Sequence, residues 1–267
     1  VSPYKGGMDF SQADAYLART GVERPAAADA ASLRALHLGH QMTVPFENLS
    51  IHLGQDIVLT EEALYEKIVG ARRGGFCYEL NGAFGALLRS LGYSVELLAA
   101  RVIGEDGRPG PPYDHLALRV RTADGERWLA DVGFGRHSHF PLRYDERGEQ
   151  RDPGGTFRVE ETPDGDLVVS RGGVPQYRLE QRPRQLGDFE ATCWWQRTSP
   201  TSHFRTSLIC SRLTEDGRVS LSGRSLVRTT AAGREEHHLS EAEVLPAYRT
   251  HFGITLDREP SVAPLAA

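Results

Sequence analysis

Apolar positions in the first third of the chain recur every three or four residues, the period of a helix that packs by one face. In "SQADAYLARTG", Ser11 and Asp14 are spaced as a capping box ahead of Ala15, Tyr16 and Leu17, and Gly21 closes the pattern. "ASLRALHLGH" puts Leu33, Leu36 and His37 on one face. "TEEALYEKIVG" opens on Thr60 and two acids suited to a helix N-terminus, carries Leu64 and Ile68, and stops at Gly70. A fourth helix is predicted from Cys77, with Phe84, Leu87, Leu88 and Leu91 at helical spacing and Gly92 just past its end. "TVPFENLSIHLG", between the second and third helices, reads as loop or a short irregular element.

From Ser94 the period shortens to two. "SVELLAARVI", "HLALRVR", "RWLADV", "TFRVEE", "DLVVSR" and "QYRLEQ" are strand candidates, parted by the turn-formers "EDGRPGPP", "ADGE", "DPGG" and "PDGD". So many short strands in succession imply an antiparallel barrel or sandwich. A short helix is predicted through "GDFEATCWWQRT", then strands at "SLICSRL", "RVSLSG" and "SLVRTT", and a last helix from Ser240 to about His251. The tail "REPSVAPLAA" is expected to fray. Helices, then strands, then a mixed end make an α+β chain of three parts, drawn at 1–92, 93–198 and 199–267.

Composition narrows the function classes. With 39% hydrophobic and 25% charged residues, the 267-residue chain is that of an ordinary globular protein. A formal charge of −5, with arginines scattered and in no run, speaks against nucleic acid as a partner. No apolar run is long enough to span a membrane, and "VSPYKGGMDF" lacks the apolar segment of an export signal. A cytoplasmic location is therefore expected, with Cys77, Cys193 and Cys210 as reduced thiols. None of the three has the spacing of a zinc site, and no metal is expected.

The candidate chemistry starts at "RRGGFCYELN". A free thiol with a pKa of about 8.5 is mostly protonated at neutral pH, and a helix N-terminus stabilises its anion. Cys77 stands where the helical pattern opens, and Gly74-Gly75 is expected to allow a tight turn and space beside the sulfur. A buried structural cysteine fits the same stretch equally well. What separates the two readings is a base and an orienting acid. Of ten histidines, His137, His139, His237 and His238 lie in polar stretches and read as bland. His115 opens the strand "HLALRV", and Asp131 ends the neighbouring "RWLAD".

Whether those two meet depends on one turn. If Asp124-Gly125 were a two-residue turn, Asp131 and His115 would face opposite sides of the sheet. If "ADG" is a three-residue loop with Gly125 left-handed, Thr122 pairs with Glu126 and Asp131 lies opposite Ala117. Asp131 is then diagonal to His115 on the same face, within side-chain reach. The second register is the expectation. Cys77, His115 and Asp131 would then be nucleophile, base and orienter, equipment for acyl transfer through a thioester. Metal binding by the same three fits less well, because a structural zinc wants a fourth ligand.

Taken together, "RRGGFCYELN", "HLALRV" followed by "DVGFG", "VPFENLSIH" and "SPTSHFRTSLIC" resemble the arylamine N-acetyltransferases, bacterial type, from about Gln12 to about Arg249. The resemblance implies a helical bundle, a central antiparallel β-barrel and a C-terminal α/β lid around a cysteine-protease-like core. It implies that the Cys-His-Asp triad falls on Cys77, His115 and Asp131. It also implies ping-pong transfer from acetyl-coenzyme A, as donor and co-substrate, to an arylamine, arylhydrazine or similar amine. Phe46 and Phe134 match acceptor-pocket positions, and Phe204 matches less closely; the alternative is that the three are core aromatics. Gly133 and Gly135 would let the thioester or pantetheine arm approach, and Glu47 with Arg73 would be a structural ion pair. With no phosphate loop and no basic cluster in the sequence, no phosphate ligand is assigned.

Three other readings stay open at this point. An amide synthase would take its acyl group from a carrier-protein thioester and cyclise or release a polyketide chain onto an aryl amine. A papain-like thiol hydrolase shares the order Cys before His, but completes its triad with a more distant residue. A silent scaffold would have no use for all three triad residues.

Overall fold

The computed structural model describes residues 8–262. Its helical part comprises α1 (Phe10–Thr20), α2 (Ala30–Thr43), the short strand β1 (Phe46–Glu47), α3 (Leu49–Leu53), α4 (Glu61–Tyr65) and α5 (Cys77–Ser90). α4 runs on as a wider π-type turn to Gly70. Thr60 caps α4 as expected, its side chain accepting from the Ala63 amide at 3.3 Å. The cap of α1 differs from expectation. The helix starts two residues earlier, so Asp9 and Gln12 form the capping box and Ser11 merely bonds Asp9. α5 is buried along nearly its whole length, and Phe84, Leu87 and Leu88 sit at its centre.

The strands that follow form one antiparallel sheet of eight: β2 (Ser94–Val102), β3 (His115–Arg121), β4 (Arg127–Ala130), β5 (Leu142–Arg143), β6 (Gln150–Asp152), β7 (Gly155–Glu161), β8 (Leu167–Arg171) and β9 (Val174–Arg184). Their order is β5-β4-β3-β2-β9-β8-β7-β6, a nearly closed barrel. At the open seam the Gln150 side chain bonds both the N–H and the carbonyl of Arg143, at 2.7 and 3.0 Å, and so ties β6 to β5. β5 and β6, two and three residues long, escaped the sequence pattern because they are too short to show alternation. The interior holds Leu98, Phe157, Tyr177 and Leu179, while the opposite face of β2 and β3 packs on α5 through Leu97, Leu116 and Leu118.

A 3-10 turn (Leu186–Phe189) leads into α6 (Glu190–Thr198), and then come α7 (His203–Thr206), β10 (Cys210–Thr214), β11 (Gly217–Ser222), β12 (Ser225–Thr230), β13 (Gly233–His238) and α8 (Glu241–Phe252). β1 joins this second sheet at its edge, in the order β1-β10-β11-β12-β13. The segment read as irregular therefore links the helical part to the C-terminal sheet. β13, "GREEHH", is exposed throughout and has no apolar face to betray it; only its pairing with β12 makes it a strand. Of the tail expected to fray, residues 263–267 lie outside the described residues, and Arg258 donates to the Leu53 carbonyl at 2.6 Å. No helix among the described residues is long and apolar enough to cross a membrane.

Candidate active site

Cys77 is the first residue of α5, and Phe76 ahead of it is extended. Glu79 accepts the Phe76 N–H at 3.2 Å and pairs with Lys67, so this helix end carries a fixed carboxylate. Gly74 and Gly75 have another purpose than room beside the sulfur. A Cβ on Gly74 would fall 1.9 Å from the Pro45 carbonyl oxygen, and one on Gly75 would run into the Glu79 side chain. They let β1 and the capping carboxylate close in on the turn. Cys77 itself is 3% exposed, with Sγ 3.8 Å from the Asp114 carbonyl.

The hairpin takes the three-residue loop. The Thr122 amide donates to the Glu126 carbonyl at 3.0 Å, Gly125 has φ 91°, and Leu118 pairs with Ala130. One step further puts Asp131 beside Ala117, and the His115 Nε2 bonds Asp131 Oδ2 at 2.7 Å. Both side chains are almost fully buried. Because Nε2 faces the carboxylate, it carries the proton in the neutral ring and Nδ1 is left as the basic nitrogen.

Three residues without an assigned role in the sequence reading hold this pair. Asn81, one turn after Cys77 on α5, donates to Asp131 Oδ1 at 2.9 Å and to the Leu116 carbonyl at 2.6 Å, and accepts from the Val132 amide at 2.9 Å. His37 Nε2 accepts the Asp131 N–H at 3.1 Å, with Nδ1 2.9 Å from the His139 carbonyl, which defines its neutral tautomer. The Tyr177 ring lies 5.1 Å from that of His115. The signal for Asn81 was there: a polar residue four positions from Cys77, on a helix whose buried side chains, Glu79 apart, are otherwise apolar.

Gly133 completes the frame. Its amide donates to Asp131 Oδ1 at 3.0 Å, and a Cβ on it would meet Cys77 Cα and Asn81 Nδ2, each at 2.7 Å. Only glycine lets the loop after β4 lie on the start of α5. The electrostatics follow from this packing. Burial alone would raise the Asp131 pKa, but the adjoining His115 and the Asn81 amide hold the carboxyl well below its usual range. Burial pushes the Cys77 thiol well up, Asp131 and Asp114 push the same way, and the hydrogen bond at Leu116 opposes them.

Outside this core opens a cleft of about 1400 Å³ between the barrel and the C-terminal sheet. Phe46, Phe134 and Phe204 all line it, and so does Gly135. The Phe134 ring stands edge-on to His115 at 5.2 Å, while the Phe46 and Phe204 centroids are 6.1 Å apart. Cys77 and His115 are not on the cleft wall; the Phe134 ring, edge-on to His115, lines it. Gly133, paired with Gly135 in the sequence reading, packs under Cys77 and not on the wall. Glu47 and Arg73 do form a buried ion pair at 2.8 Å, with Glu47 also accepting the Leu49 amide.

Two expectations are corrected here. His137 does not sit in polar surroundings: it is 3% exposed, caged by Phe134, Phe157 and Tyr177, and burial pushes its pKa down to about 4. Nor is the chain without a basic cluster. Arg136, Arg171 and Arg218, far apart in sequence, share the cleft wall. Among the described residues no three His, Cys, Asp or Glu side chains gather as a metal would require.

A helix-terminal cysteine framed with a buried histidine–aspartate pair is the equipment of thiol-dependent acyl chemistry. Comparison with known proteins gives the class a family. Residues 29–261 match the N-acetyltransferase family model. The arylamine N-acetyltransferase of Mycolicibacterium smegmatis is 38% identical over 251 residues, covering 90% of this chain and 91% of its own. That of Escherichia coli is 37% identical, covering 91% and 88%. The solved structure of the Mycobacterium marinum enzyme in complex with CoA superposes with a TM-score of 0.82 at 33% identity, covering 90% of this chain and 92% of that one. The chain belongs to the arylamine N-acetyltransferase family.

Proposed function

We propose that the protein moves an acetyl group from acetyl-coenzyme A to the nitrogen of an arylamine or arylhydrazine, through a thioester on Cys77. The observation that carries this is the 2.7 Å bond between His115 and Asp131, locked by Asn81 to the helix that begins with Cys77. In the first half-reaction the Cys77 proton passes to His115 Nδ1 and the thiolate attacks the acetyl carbonyl. Coenzyme A leaves as a thiol, taking that proton. In the second half the amine attacks the thioester, His115 accepts its proton, and the Cys77 thiol is restored. Asp131 stays ionised throughout and stabilises the imidazolium.

Burial disfavours a lone thiolate at Cys77, so the anion forms only together with the imidazolium and at the end of α5. Desolvation thus makes the pair interdependent, and the same dryness protects the thioester from water. In this reading Phe46, Phe134 and Phe204 form the acceptor pocket and gate, and Gly135 gives the pantetheine arm a smooth wall. The parts 1–92, 93–198 and 199–267 would supply nucleophile, base with acid, and lid, in a cytoplasmic enzyme.

The test is intact mass after mixing with acetyl-coenzyme A and no amine. One added acetyl group is expected, absent in Cys77→Ser and discharged by an aromatic amine. A Cys77→Ser variant that kept wild-type turnover would sink the mechanism. His115→Ala should sharply slow alkylation of Cys77 near neutral pH, and unchanged alkylation would remove the ion pair from the scheme.

A further inference from the structure

Three cations on the cleft wall lack a paired carboxylate. Arg136 follows the Phe134–Gly135 pair, Arg171 closes β8, and Arg218 lies in β11. Among the described residues their side chains make one hydrogen bond, from Arg218 Nη1 to Ser211 Oγ at 3.0 Å, and none of the three forms an ion pair. The Arg171 stem is laid across Gly155, where a Cβ would come 3.0 Å from Nε, so the glycine permits its course.

The acids nearby are otherwise engaged. Asp152, whose charge reaches Arg171, accepts the amides of His139, Phe140 and Gly154 at 2.8, 3.0 and 2.6 Å. Asp216, also on the wall, is bound by Arg228 at 2.7 Å, and Glu215, the other acid on the wall, is exposed to solvent. The cations therefore face one another. Burial pushes the Arg218 pKa down to about 10, and Arg136 and Arg171 push it the same way. Such an arrangement costs free energy in the empty protein, and a bound polyanion reverses the cost.

We propose that Arg136, Arg171 and Arg218 form a polyphosphate subsite that selects coenzyme A thioesters, with their diphosphate and 3′-phosphate, over thioesters that end at pantetheine. This rests on the acyl-donor reading above and names the part of the donor that the sequence left without a ligand. Guanidinium forks suit phosphate oxygens. The cleft also exceeds the roughly 300–1,000 Å³ that encloses a drug-sized ligand, so an aromatic amine alone would leave it largely empty. The loop that places Phe134 against His115 carries Arg136 two residues later, so one short segment spans the reacting end and the phosphate end. A carrier-bound pantetheine, with a single phosphodiester, would answer three arginines poorly.

Two measurements decide it. The first is kcat/KM for acylation by acetyl-coenzyme A and by S-acetylpantetheine, in the wild type, Arg218→Gln and Arg136→Gln. The preference for the coenzyme A donor should fall roughly tenfold or more in each variant, the loss of one charge-assisted bond. Arg136 is exposed, so its variant tests the idea even if Arg218→Gln folds poorly. An unchanged preference in Arg136→Gln and in a folded Arg218→Gln would overturn the subsite. The second is calorimetric binding of adenosine 3′,5′-bisphosphate, which needs no chemistry. The wild type should bind it, and Arg136→Gln/Arg171→Gln should bind roughly tenfold more weakly or worse. No binding, or equal binding, overturns the proposal. If the nucleotide binds through the arginines but acetyl-coenzyme A leaves no acetyl group on Cys77, the acetyltransferase reading fails while the subsite stands.

Discussion

The two ends of the cleft are built on opposite terms. Behind the inner end, off the cleft wall, His115, Asp131, Asn81 and His37 are buried and bonded to one another at 2.6–3.1 Å or to nearby backbone. At the outer end three arginines line an open wall with hardly a partner between them. The inner end is complete as it stands, and its polar groups would be costly to leave unpaired. The outer end is incomplete until something anionic arrives. The Phe134 ring, on the cleft wall and edge-on to His115, stands where the two regions meet.

Breaking the inner end should have the largest effects. Asp131→Asn leaves the shape and removes the charge, so kcat should drop on the order of 10^4-fold, by analogy with triads in which the acid fixes the tautomer. A loss below tenfold in steady-state assays would mean that His115 acts without it. Asn81→Ala removes the tie between α5 and Asp131 and leaves the Val132 amide and Leu116 carbonyl without this partner. Stability should fall by about 3 kcal/mol, read from the urea midpoint at constant slope, and kcat with it.

The next effect is a pH dependence. Unfolded, His137 takes a proton below about pH 6.5. Folded, with its pKa pushed down by burial, it does so only below about 4. Acid therefore favours the unfolded chain. The stability that buried His137 contributes is whole above pH 6.5 and is lost as pH falls towards 4, up to about 3 kcal/mol. His37 and His40, also lowered by burial, act in the same sense, while Asp114, raised to about 6 by burial, acts against them. Comparing urea midpoints of wild type and His137→Phe at pH 7 and 5 isolates the one residue; parallel curves would contradict the assignment.

Gly133→Ala should cost roughly 1–3 kcal/mol by overpacking and slow alkylation of Cys77, since the added methyl meets the Cys77 backbone. The smallest effect belongs to the outer end. Raising salt well above physiological strength should raise KM for acetyl-coenzyme A several-fold by screening the arginines, and leave the His115–Asp131 end untouched. A salt response in kcat alone would place the sensitivity inside instead.

Much of this was legible in the chain. The helical periods around Leu33, Leu64 and Phe84, the turn at Gly125 and the position of Cys77 at a helix start all follow from local rules, and each is local in the structure too. The His115–Asp131 contact was legible because a hairpin converts turn length into register, and register decides which side chains share a face. β13, β5 and the start of α1 were not legible, since pairing partners and a two-residue shift leave no periodic trace.

The sequence alone determined the candidate cysteine, its helix, the histidine and aspartate that pair, and the family resemblance, because those residues sit in or beside regular elements whose geometry repeats. Only the tertiary structure decided that Asn81 and Gly133 weld the two halves of the site together. It also decided that His137 is buried and that Arg136, Arg171 and Arg218 face one cleft. Those facts depend on which distant segments pack side by side, and a charge or a polar group carries no mark in the chain of the neighbour it will meet.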